Sequence, residues 1–255
     1  MARGAKPRQE LPPPLPPERR TVGQLVAESI RLYGQHFLRA VPLGIVVGTI
    51  NQLTAEIDRV GVATALVLTA PVFATAYAYA TRLMTGESAP RRSWLVAVGV
   101  GSLIFVPAAL LFPWFALASV LWLALIGLAV PAVMVEDISF ADSLRRGFAL
   151  GRVDYIHAAG SLATLVILFF LMRLGLALLL ESQADNTVRT AIFLSDTVLA
   201  PLLFLGGALL YVDQEARLRS RSEGRRKERD ADLPHADDAD GEGSTDAARE
   251  PRSPR

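Results

Sequence analysis

The sequence predicts an all-α fold, a polytopic transmembrane helical bundle of about six spans, and three observations carry that prediction. Hydrophobic residues make up 51% of the 255 residues and the mean hydropathy is +0.34, although both ends are polar. Uncharged apolar runs recur at the ~20-residue length that crosses a hydrocarbon core of ~30 Å. Lys and Arg fall almost entirely on one side of those runs. With no cysteine, disulfides, thiolate zinc sites and cysteine nucleophiles are excluded. His36, His157 and His235 are the only histidines, which excludes a histidine-rich metal centre. No cofactor or metal is expected.

The elements follow in order. Residues 1–20, "MARGAKPRQELPPPLPPERR", are basic and proline-rich. No apolar core follows the charges, so no cleaved signal peptide is expected. The P-x-x-P spacings suit a docking peptide, but a solvated polyproline spacer is the preferred reading. "TVGQ" has the form of a capping box, with Thr21 as N-cap and Gln24 three residues into the helix. Val22, Leu25, Val26, Ile30 and Phe37 then give an apolar stripe, which suits an amphipathic helix at the membrane interface. Residues 40–55 make the weakest span, because Asn51 and Gln52 interrupt it. Residues 60–81 carry no charge and read as one straight span. Residues 93–135 are uncharged over twice the length of a span, with the natural reversal at Pro113 in "LFPWF". The fifth span, 155–180, contains Arg173, and the sixth, 191–212, contains Asp196.

Six spans put Arg19, Arg20, Arg31, the Arg82/Arg91/Arg92 loop, the Arg145/Arg146/Arg152 loop and the basic tail on one side. The other side receives Arg59 and Arg189. Both termini are therefore expected to face the cytoplasm. The organisation reads as a disordered tail at 1–20, a transmembrane domain at 21–214 and a disordered charged tail at 215–255. Seven basic residues between Arg217 and Arg229 suit anionic headgroups. Nucleic-acid binding is not expected, because no aromatics are interleaved with the charges.

An unpaired arginine within a bilayer costs at least ~2.5 kcal/mol. Folding the last two spans as a hairpin about "SQADNTV" brings Arg173 and Asp196 to nearly the same depth at 1.5 Å per residue. An intramembrane Arg173–Asp196 ion pair is therefore expected, preferably as a register lock, with an ion or substrate determinant as the alternative. Glu181 and Arg189 offer a second pair at the mouth of the hairpin.

"SFADSLRRGFALGRVDYIHAAGSL" repeats the design of the N-terminal entry: a capped amphipathic helix, an aromatic residue, then a span. Phe140, Leu144, Phe148 and Gly151 share one face of its wheel. Arg145, Arg146 and Arg152 share the other and are the candidate headgroup-binding residues. Aligning Thr21 with Ser139 superposes Phe37 on Tyr155. Gly44-x-x-x-Gly48 suits close helix packing within the chain, with dimerisation as the alternative.

Three segments, "TVGQLVAESIRLYGQHF", "PAVMVEDISFADSLRRGFALG" and "ALLYVDQEARLRSRSEG", resemble the glycerophosphoryl diester phosphodiesterase membrane-domain family of bacterial membrane proteins. The resemblance rests on Pro131, Glu136, Leu144, Arg145, Tyr211, Asp213 and Glu223–Gly224 and covers roughly 21–224. Extra residues separate Asp213 from the final Arg-x-Arg and Glu-Gly, which departs from the family pattern. The resemblance implies a bacterial cell-membrane module without the catalytic barrel found in some members. His157 and Ser161 stand one helical turn apart, but no Gly-x-Ser-x-Gly turn accompanies them, so no hydrolase is expected. Glu136, Asp137 and Asp142 form a weak candidate for a cation. The preferred reading is a non-enzymatic module that binds membrane lipids, including anionic headgroups, or a membrane-protein partner or second copy. The alternative is a transporter for a lipid or small amphiphile.

Overall fold

The computed structural model describes residues 16–86 and 89–231. The P-x-x-P segment through Leu15 and the acidic stretch after Ala231 lie outside the described residues. Among the described residues every regular element is helical. A 3₁₀ turn at Pro17–Arg19 leads into α1 (Val22–Gln35), α2 (Phe37–Thr54), α3 (Arg59–Leu68), α4 (Ala70–Thr85) and α5 (Arg91–Leu111). Then come α6 (Ala116–Ile126), α7 (Ala129–Glu136), α8 (Phe140–Val153), α9 (Tyr155–Leu179) and α10 (Asp185–Ala231). The chain through Leu218 forms one compact unit and the residues from Arg219 belong to a second.

Five stretches among the described residues are long and apolar enough to cross a membrane: α2, α5, α6 with α7, α9 and α10. The bent pair α3–α4 makes a sixth. The chain is thus an all-helical membrane protein of about six spans. The central run reverses after Leu111 as expected, because Pro113 has no N–H with which to continue the helix.

Two spans differ from the expectation. Residues 60–81 break at Thr69, where α3 and α4 meet at 54°. Pro71 sits in the first turn of α4, and the Thr69 hydroxyl donates back to the Ala65 carbonyl at 2.8 Å. The last turn of α3 thereby closes on a side chain and α4 restarts at a new angle. The sixth span does not end near Val212. α10 runs on to Ala231, so residues 215–231 are helical where a disordered tail was expected. Arg, Lys and Glu are strong helix formers, and Glu215/Arg219 and Glu223/Lys227 stand at i, i+4 with the acid first, the favourable order.

The two capped helices also pack against the bundle. Thr21 and Gln24 close a capping box at the start of α1, which buries Leu25, Ser29 and Tyr33. α1 meets α10 at two points in antiparallel order. Arg20 reaches Asp213, and a Cβ on Gly206 would stand 3.2 Å from the Ser29 Oγ. α2 continues this antiparallel course. Gly44 packs on the Thr197 backbone, Gly48 on the Phe193 ring, and Gln52 Nε2 donates to the Arg189 carbonyl at 2.7 Å. The Gly-x-x-x-Gly spacing is therefore used within the chain.

Ser139 caps α8, which buries Ser143, Gly147, Leu150 and Gly151. Of the expected face Phe140/Leu144/Phe148/Gly151, Gly151 is buried and Leu144 packs on the core, while the small Ser143 and Gly147 complete the inward side. Phe140 and Phe148 remain 41% and 40% exposed at its flank. Small residues let backbones approach closely: a Cβ on Gly147 would lie 2.6 Å from Ala129, and one on Gly151 would overlap the Leu125 carbonyl. With Thr21 aligned on Ser139, α1 and α8 are both 14 residues long. Each is followed by one non-helical junction, His36 or Asp154, and then by a span starting at Phe37 or Tyr155. The buried Leu25, Ser29 and Tyr33 correspond to the buried Ser143, Gly147 and Gly151.

Gly151→Leu is expected to overpack this contact, at a cost of about 1–3 kcal/mol, and to lower the melting temperature in detergent. Gly34→Ala, where a Cβ meets nothing within 4 Å, is expected to leave it unchanged or raise it slightly.

Candidate functional site

The polar contacts of the bundle gather at two levels of α10. At the first, the Asp196 carboxylate is fully buried, its Oδ1 3.3 Å from Arg173 Nε on α9. The amide of Asn51 on α2 donates to Asp196 Oδ2 at 2.8 Å. Arg173 also stands over the Phe169 ring at 5.8 Å. Sequence reasoning paired Arg173 with Asp196 and missed Asn51, although an amide inside an apolar run was the visible sign. It also misplaced Arg189, which pairs with Glu56 and not with Glu181. The reason is that the end of α2, not the end of α9, supplies the acid beside the start of α10.

Beside this level lies a cavity of about 310 Å³. Arg173 and Asn51 line it at one end, and Leu162, Leu128 and Gly207 at the other. From Leu162 to Arg173 the cavity follows α9 for about 16 Å at 1.5 Å per residue, half the thickness of a ~30 Å hydrocarbon core. Its walls are aromatic: Phe73 faces Phe105 with ring centroids 6.0 Å apart and Phe204 at 6.4 Å.

At the second level, near the start of α1, Arg20 Nη1 meets the buried Asp213 at 2.6 Å. Arg217 bridges Asp154 Oδ2 at 2.8 Å and the Arg20 carbonyl at 2.7 Å. Gln214 donates to the Asp154 carbonyl at 3.0 Å. The Tyr211 hydroxyl donates to Glu136 Oε1 at 2.8 Å, and Arg146 Nε donates to both oxygens of the same carboxylate, at 2.8 and 3.1 Å. Tyr211, Asp213 and Glu136 were singled out by the resemblance. Arg20, Asp154, Gln214 and Arg217 were not, because their partners lie 60 to 197 residues away.

The three candidate headgroup-binding arginines therefore separate. Arg145 and Arg152 are exposed on α8, Arg152 over the Phe148 ring at 5.1 Å. Arg146 turns inward to Glu136 and comes within 3.8 Å of Glu215, which corrects its placement on the lipid-facing side. Burial pulls the Arg146 pKa down, but the hydrogen bond and negative charge of Glu136 outweigh it and hold the pKa above its ordinary value.

The His157 backbone N–H donates to the capping carboxylate of Asp154, while among the described residues His157 Nε2 and Ser161 Oγ are buried without a hydrogen-bond partner. Asp137 accepts from Ser93, Asp142 from Ser139, and Glu136 from Arg146. Among the described residues no group of three or more acidic or histidine side chains is placed to hold a metal ion. Comparisons with protein-family models, curated proteins and solved structures found no match to this chain.

Breaking a buried pair by removing one partner is expected to cost about 3–5 kcal/mol. Arg173→Met and Asp196→Leu should each destabilise the bundle on that scale. The double variant should lose less than the sum, with a coupling of about 1 kcal/mol or more in a thermal or denaturant double-mutant cycle. Arg20→Ala, which leaves Asp213 buried and unpaired, should likewise destabilise far more than Arg31→Ala, whose pair with Glu28 is exposed.

Proposed function

We propose that this chain is a non-enzymatic membrane module that binds lipid, akin to the membrane-domain family it resembles. The single observation that carries the reading is the intramembrane cavity: apolar along a length of one leaflet, with a cation and an amide at one end. Such a shape suits an amphiphile. Arg145 and Arg152, exposed beside Phe140 and Phe148, suit anionic headgroups at the membrane surface. The Lys and Arg bias favours an orientation with that surface and both termini cytoplasmic, and the family resemblance favours a bacterial cell membrane. A membrane-protein partner or a second copy of the chain is the competing occupant of the exposed faces.

A specific observation also favours a second reading, transport of a lipid or small amphiphile. The span α3–α4 is broken by 54° at Thr69, and α1 with the start of α2 repeats the bounds of α8 with the start of α9. Broken helices and internal repeats are the marks of transporter architecture.

Extraction of the full chain from native membranes, followed by native mass spectrometry, tests the proposal. One or more lipids are expected to remain bound in fixed stoichiometry. R145Q/R152Q is expected to lower the anionic share several-fold without loss of fold. A retained protein partner with no stoichiometric lipid would replace the lipid reading by that of a scaffold subunit.

A further inference from the structure

We infer that the cavity takes a single-chain amphiphile whose oxyanion head, a carboxylate or a phosphate, binds the terminal nitrogens of Arg173. The inference rests on the lipid-binding reading and deepens it. Four features of the cavity lead to it.

The first is the geometry of the guanidinium. Arg173 offers five donors in a fixed fork, and Nε is the atom nearest Asp196, at 3.3 Å. The side chain lines the cavity, is 27% exposed and turns its Nε edge to Asp196. Donors left bare in apolar surroundings are costly, and an oxyanion is the strongest acceptor that satisfies them.

The second is the arrangement of the charges. Arg173 lines the cavity, whereas the fully buried Asp196 does not. Asn51 and Nε hold the carboxylate from behind. A ligand in the cavity therefore meets the cation and an amide, with the acid screened from it. The register lock and the recognition element are the same arginine, used on two edges.

The third is size. A volume of about 310 Å³ lies at the lower end of the range for ligand pockets, ~300–1,000 Å³. Spread over about 16 Å of α9, it is an elongated space that suits a single hydrocarbon chain.

The fourth is access. Phe170 lines the cavity and is 42% exposed, so the cavity reaches the outer surface of the bundle beside α9. Phe170 stacks on Phe112 at 6.2 Å, and this pair of rings edges the opening. A chain can thus enter sideways from the surrounding lipid with its head at the level of Arg173.

The test uses the full chain in digitonin, whose steroid body does not imitate an acyl chain, titrated by native mass spectrometry. The probes are palmitate, 1-palmitoyl lysophosphatidate and the uncharged hexadecanol. The wild type is expected to bind one oxyanion-headed probe at least about tenfold more tightly than hexadecanol, the scale of one charge-assisted hydrogen bond. Preference for palmitate over lysophosphatidate would assign a fatty acid, and the reverse a phosphate head. R173Q/D196N keeps a neutral hydrogen-bonding pair and is expected to bind all three probes alike. A109W, which fills the cavity wall, is expected to bind none, with an unchanged melting temperature as the control for folding. Equal binding of hexadecanol and both oxyanions to the wild type, all lost in A109W, would overturn the headgroup assignment and leave the lipid-binding reading standing. Binding unaffected by A109W, or no saturable binding at all, would overturn both.

Discussion

Two carboxylates on one helix govern this structure. Asp196 and Asp213 are both fully buried on α10, seventeen residues and so about 25 Å apart. Neither is tolerable alone, because a buried charge loses far more hydration than packing returns. Each is met by an arginine from another element, Asp196 by Arg173 of α9 and Asp213 by Arg20 ahead of α1. Asn51 adds the tip of α2 to the first pair, and Arg217 adds Asp154 at the α8–α9 junction to the second. The register of α10 against α1, α2 and α9 follows from these partners. Glycines allow the approach: Gly44 and Gly48 admit α10 to α2, and Gly206 admits Ser29 of α1.

The cavity is a consequence of that scaffold. Phe73 of α4 faces both Phe204 of α10 and Phe105 of α5, while α2 approaches α10 through Gly44 and Gly48. Close packing on one side and bulky rings on the other leave a space the length of a leaflet. Because Arg173 is fixed by Asp196, the positive end of the space has a defined position. Under the proposed lipid-binding reading, the register lock and the recognition element are the same arginine.

Much of this was legible before the structure. Apolar runs marked all six spans, the last two despite Arg173 and Asp196, and proline marked the reversal at Pro113. Depth arithmetic alone paired Arg173 with Asp196, since they sit on spans joined by a short turn. The same arithmetic failed for Arg189, because its partner Glu56 comes from a span 133 residues earlier in the chain. Aligning Thr21 with Ser139 anticipated the matched bounds of α1 and α8. The helical wheel found Gly151 and Leu144 on the packed side of α8 but missed Ser143 and Gly147, because it ranks apolar bulk and these carry almost none. Arg146 was read as a lipid contact for a like reason: a wheel places a charge outside, and only the fold brings Glu136 of α7 to it.

The most direct test of the account is an electron cryomicroscopy reconstruction of the full chain in nanodiscs of native lipid. The account predicts elongated density along α9 from Leu162 towards Arg173, with the guanidinium between Asp196 and the head of the bound molecule. A cavity closed by Phe169 and Phe170, with Arg173 turned away from Asp196 towards the membrane surface, would contradict it.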